Sequence, residues 1–255
     1  AYEMLRSLVG SEMCIRDRLK IGEFMLSELI SAFRGGQVDF QSIVIQLLAL
    51  LVIIFLVLPF HEWAHAFTAL KLGDTSVKYR GRLSFNPLAH IDVMGSICLL
   101  CFGFGWAKPV PIDPRNFKNE KTGMAITALA GPVANLIAAL VGDLIFFAIG
   151  AFAPSLFMTT AGGYIGYFLR YYVMINVYLA VFNLVPIPPL DGSKILFVFL
   201  PDRIVYKFYQ YERYIMFALF ALLWMGFLST PLAYLSNFVQ NGIDFIAKLP
   251  FLWAF

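Results

Sequence analysis

The chain is 255 residues long, 60% hydrophobic and only 14% charged. That balance excludes an ordinary soluble globular domain, in which about a quarter of the residues are charged. A formal net charge of +3, with the basic residues in short stretches between apolar runs, excludes a nucleic-acid-binding surface and makes a lipid bilayer the main surrounding.

Residues 1–24 are set aside as a non-native N-terminal segment. Met4-Leu-Arg-Ser-Leu-Val-Gly-Ser-Glu-Met-Cys-Ile-Arg-Asp17 reads like translated sequencing adapter, and Glu12, Arg16, Asp17 and Arg18 break any signal-peptide apolar core. Met25 is the expected authentic start, and residues 25–255 are expected to form one membrane-embedded domain with its core at 41–195. Cys14, Cys98 and Cys101 are an odd set, and the last two fall inside an apolar run, which fits packing better than redox or metal chemistry.

A bilayer-spanning helix needs about 20 mostly apolar residues. Residues 41–60 carry no charge before the chain runs into His61 and Glu62, and form the first expected span. Residues 88–107 are also apolar, but Gly95, Gly103 and Gly105 lie within them, and Asn86-Pro87 and Pro109-Val-Pro111 flank them. Lys71, Lys78, Arg80 and Arg82 precede this stretch, and Lys108, Arg115, Lys118 and Lys121 follow it. Both basic loops belong in the cytoplasm by the positive-inside rule, so the stretch is expected to be a re-entrant, partly extended hairpin rather than a crossing.

Further spans are expected at residues 124–152, interrupted only by Asp143, at 164–185, interrupted only by Arg170, and at 214–239. Residues 153–163 carry no charge and form the natural exterior loop. The expected architecture is therefore an all-α polytopic membrane protein with about four transmembrane helices plus a hairpin between the first two.

Two of the three histidines in the chain stand four apart, with a glutamate between them, in His61-Glu62-Trp-Ala-His65. On a helix both imidazoles share one face and can hold one zinc ion, while Glu62 is placed to act on water as general base. Ionisable groups at the end of a span are expensive unless paired or metal-bound, which makes a functional role the default. Lys71 lies ten residues beyond His61, about 15 Å along a helix, so the pair sits below the membrane surface.

A catalytic zinc takes three protein ligands, and Asp92, His90, Asp143 and Asp191 are the candidates for the third. Asp143 is about 30 Å along its helix from the cytoplasmic side, which is too far. Asp191 follows the third span directly, where Pro186, Pro188 and Pro189 stop a regular helix and an extended backbone can turn the carboxylate inward. Taken alone, Asp191-Gly192 also reads as a surface turn.

His61-Glu-Trp-Ala-His65 on one span and Asn183-Leu-Val-Pro-Ile-Pro-Pro-Leu-Asp191-Gly192 after a later one resemble the site-2 protease family of intramembrane zinc metalloproteases. Gly131-Pro-Val-Ala-Asn135 on the intervening span extends the resemblance, which runs from about Val52 to Gly192. The likeness is to compact prokaryotic members, and no PDZ-like domain is recognisable. It implies one zinc ion held by His61, His65 and Asp191, with Glu62 activating water against a peptide bond of a transmembrane protein substrate.

The resemblance also offers Asn135 and Asn183, whose amides either hydrogen-bond substrate backbone or a developing oxyanion, or simply join helices. His90 and Asp92 stay outside the catalytic set. The expected location is the cell membrane of a prokaryote, multi-pass, with the site toward the cytoplasm. A non-proteolytic membrane protein that binds or transports a metal ion is the alternative, with Asp143 the one residue in its favour.

Overall fold

The structure is a computed structural model that describes residue 48, residues 51–102 and residues 107–254. The proposed non-native segment and most of residues 41–50 lie outside the described residues. Among those described, all regular structure is helical. Three segments, Ile53–Lys71, Glu120–Phe152 and Thr160–Asn183, are long and apolar enough to cross a membrane.

A π-helical turn, Ile53–Val57, leads into α1 (Leu58–Lys71). Pro59 lies inside this continuous helical segment, two residues beyond the π-helical turn, so its missing N–H falls beside the irregular turn. Small residues line the buried face of α1, where Ala66 and Ala69 are fully covered. After α1 the chain turns at Gly73, whose φ of 118° a side chain would resist, and passes through the short α2 (Ser76–Tyr79).

The loop beyond α1 is held by one buried carboxylate. Asp74 Oδ1 accepts hydrogen bonds from the Ser76 N–H at 3.0 Å and the Asn116 amide at 2.8 Å, and Oδ2 accepts from the Asp113 N–H at 2.8 Å. Burial pushes this carboxyl up, but the donors outweigh it and hold the group below the usual carboxylate range.

The next stretch contains more helix than its glycines suggest. Asp92 Oδ1 accepts from the Gly95 N–H at 2.8 Å and caps α3 (Val93–Phe102). Gly103 and Gly105 lie outside the described residues. The chain then runs without regular structure from residue 107 to 113, and the Lys108 N–H donates to the His90 carbonyl at 2.8 Å.

The central element is α4 (Glu120–Phe152), whose 33 residues extend about 50 Å. The Asn119 side chain caps its first turn through the Thr122 N–H. It packs against α1, α5 (Thr160–Asn183), α6 (Asp191–Leu196) and α8 (Ser229–Lys248). Its buried face carries Gly123, Thr127, Ala128, Gly131, Ala134, Ala138, Ala139 and Gly142, and such small residues allow the close backbone approach that joins helices in lipid.

Residues 214–239, read from hydropathy as one span, form parts of two helices: α7 (Asp202–Trp224) and α8. Gly226, at φ 77°, closes α7. The Phe227 N–H reaches the Leu222 carbonyl at 3.1 Å and the Gly226 N–H reaches the Leu223 carbonyl at 3.0 Å. That is a Schellman stop, which satisfies the last carbonyls and turns the chain.

The far half of the bundle is joined by charge as well as packing. Arg170 of α5 reaches Asp143 of α4 at 2.7 Å and Asp244 of α8 at 3.0 Å, and its guanidinium lies 5.4 Å from the Phe146 ring centre. Asp143 is fully buried. Arg170→Met keeps apolar bulk but strands two carboxylates, so it is expected to destabilise the fold by about 3 kcal/mol. Unfolding in mixed detergent micelles checks this, and Asp143→Asn is expected to cost less.

Candidate metal centre and active site

His61 and His65 stand one turn apart on α1 and turn their imidazoles toward α4. Their Nε2 atoms are 3.0 Å apart. Asp191, the first residue of α6, brings Oδ2 to 3.3 Å from His61 Nε2 and 3.1 Å from His65 Nε2. All three residues are buried, and their ligand atoms lie within 4.8 Å of one another. A tetrahedral zinc with bonds of about 2.0–2.1 Å separates its ligand atoms by about 3.3 Å, close to the spacing observed.

The hydrogen bonding of His65 fits a metal as well. Its Nδ1 is 2.7 Å from the Thr127 carbonyl, which can only accept, so Nδ1 carries the ring hydrogen. The lone pair is then on Nε2, the atom facing His61 and Asp191. Two imidazole nitrogens and a carboxylate oxygen form a donor set suited to zinc.

Asp191 depends on local sequence. Three prolines release the chain from α5, and α6 begins at once with Asp191. A Cβ at Gly192 would meet the Leu184 and Val185 carbonyls, so glycine lets α6 start against the end of α5. Lys194 Nζ lies 3.1 Å from Asp191 Oδ1 and leaves Oδ2 to the histidines. The turn reading of Asp191-Gly192 gives way to a helix start with its carboxylate aimed inward.

Glu62 follows His61 directly, and its Oε2 accepts a hydrogen bond from the Val110 N–H at 3.1 Å. Asn135 is fully buried on α4, with neither amide atom hydrogen-bonded among the described residues. Asn183 instead donates to the Leu179 carbonyl of its own helix at 2.9 Å. The other ligand candidates are engaged elsewhere: His90 Nε2 with the Ser84 carbonyl at 2.8 Å, Asp92 at the start of α3, and Asp143 with Arg170.

Sequence reasoning missed two contributors on α4. Thr127 supplies a carbonyl to His65, a role no side chain advertises. Gly131 supplies space, since a Cβ there would collide with both the His61 and His65 imidazoles. The available signal was the spacing Thr127, Gly131, Asn135, one helical face at intervals of four.

Gly131→Ala would favour α4 by helix propensity, by about 1 kcal/mol. The methyl must nevertheless push the imidazoles aside, so zinc affinity is expected to fall at least about tenfold, by analogy with damage to groups that orient metal ligands. Competition against a zinc chelator measures it.

The sequence profile described as "Peptidase family M50" matches residues 157–226, which include Asn183 and Asp191. Over 191 residues the chain is 37% identical to "Putative zinc metalloprotease YwhC" of Bacillus subtilis, covering 74% of this chain and 84% of that one. It is also similar to two proteins given the same printed description. MJ0611 of Methanocaldococcus jannaschii is 34% identical, over 54% of this chain and 63% of that one. Rip2 of Mycolicibacterium smegmatis is 31% identical, over 52% and 49%. No solved structure matches. With this likeness across three quarters of its length, the chain belongs to peptidase family M50, the site-2 protease family of zinc metalloproteases.

Proposed function

We propose that the chain hydrolyses peptide bonds within transmembrane segments of membrane proteins, with His61, His65 and Asp191 holding one zinc ion and Glu62 as general base. The observation that carries this is the convergence of two imidazoles and a carboxylate within the apolar bundle, with a second carboxylate on the next residue of the same helix. Zinc, when bound there, supplies Lewis acidity toward water and toward the scissile carbonyl.

Glu62 takes the proton as water oxygen bonds to the carbonyl carbon, and returns it to the departing amine as the C–N bond breaks. Asn135 has a buried amide with donors to spare for substrate backbone or the developing oxyanion. Asn183 is the weaker partner for that role, because one of its donors is already used. The metal-carrier alternative loses its one supporting residue, since Asp143 is tied to Arg170, which also holds Asp244.

The same reading assigns the chain to the cell membrane of a prokaryote, with residues 25–255 as one domain and the site toward the cytoplasm. The bond between Lys108 and the His90 carbonyl brings the two ends of the 88–107 segment together, which supports a hairpin over a crossing. Loops 71–87, 108–122 and 186–212 are then cytoplasmic, and residues 153–163 exterior.

Glu62→Gln removes the base but no metal ligand. Turnover of a single-span substrate is expected to fall at least about 100-fold with zinc still at one per chain. His61→Ala or Asp191→Ala is expected to lower zinc content itself. Wild-type turnover in Glu62→Gln would sink the mechanism, and full zinc in Asp191→Ala would remove that ligand.

Single cysteines at Lys118 and Met158, both exposed, are expected to label from opposite sides of the membrane, Lys118 from the cytoplasm. Labelling of both positions from one side would reject the arrangement.

A further inference from the structure

In the stretch Pro109-Val110-Pro111, two residues of three have no N–H. Val110 carries the only main-chain donor there, and that donor goes to Glu62 Oε2 at 3.1 Å. A lone donor between two prolines has no neighbour to share its acceptor, and the proline rings restrict the backbone on both sides of it.

The surroundings fix this donor further. The Val110 side chain is buried in a cluster with Ala66, Ala69, Val77 and Phe117. Ala66 and Ala69 are four and seven residues beyond Glu62 on α1, so they continue the helix face that Glu62 begins. Val110 therefore grips α1 twice, by its side chain along that face and by its N–H at the carboxylate. On either side, the Lys108 N–H is bonded to the His90 carbonyl, and the Asp113 N–H to Asp74 Oδ2.

We propose that Val110 is a positioning residue for the general base, its main-chain N–H holding one oxygen of Glu62 so that the other is presented to the attacking water. A glutamate otherwise samples several rotamers, and a general base works only within hydrogen-bond reach of the proton it removes. A main-chain donor serves where a side-chain donor would not, because it has no rotamers of its own. The proposal rests on the reading of Glu62 as base.

Val110→Pro deletes the N–H and keeps an apolar ring. Its kcat is expected to fall about tenfold or more, with KM within about twofold and zinc at one per chain, as for loss of a hydrogen bond to a charged group. Val110→Ala keeps the N–H and is expected to recover most of that kcat. Because a third consecutive proline can disturb the segment, a second measurement reads the bond itself. In protein labelled with 15N-valine, the Val110 amide proton, identified by its loss in Val110→Ala, is expected to move upfield in Glu62→Ala, which removes the charged acceptor.

Wild-type kcat in Val110→Pro, or an unmoved amide resonance in Glu62→Ala, overturns the proposal. If Glu62→Gln is inactive while Val110→Pro is fully active, positioning fails and the base stands. If Glu62→Gln is itself active, the reading beneath the proposal has failed.

Discussion

Two imidazoles and a carboxylate within 3.3 Å of one another, inside an apolar bundle, are costly to leave without a partner they all share. Meeting that cost constrains three helices at once. α1 must present His61 and His65 on one face, α4 must approach closely enough to give His65 a carbonyl, and α6 must begin at Asp191. The glycines at 131 and 192 are what those approaches demand, since a methyl at either meets the opposing atoms.

Different parts of this arrangement were legible for different reasons. The histidine pair and Glu62 could be read directly, because a spacing of four on a helix is a local fact. Asp191 could be read as a candidate only, since the helix start it forms depends on how three prolines leave α5, and the family resemblance was needed to prefer it. The role of Gly131 was not read, because the spacing Thr127, Gly131, Asn135 marks one helix face but not which helix packs against it. Hydropathy located α4 and α5 within a few residues at each end but joined α7 to α8, because averaging over an apolar window hides the one residue, Gly226, whose conformation stops the helix.

The segment at residues 107–113 shows how an irregular stretch can be exact without being regular. It has no strand partner among the described residues, yet its N–H groups find the His90 carbonyl, Glu62 and Asp74 in turn. Pro109 and Pro111 have no N–H that needs an acceptor. Composition alone marks such a stretch as a loop, whereas its hydrogen bonding ties the chain before α3, the helix α1 and the loop beyond α1 into one unit.

Two polar clusters lie on α4, twelve residues apart: Gly131 beneath the histidines and Asp143 beside Arg170. The helix between them works as a fixed spacer. One inserted residue would turn Asp143 about 100° and shift it about 1.5 Å relative to Gly131, so that only one cluster could form. Insertions and deletions should thus be excluded from this short interval of the chain even where its outward-facing side chains, Val133, Ile137 and Val141, can be exchanged.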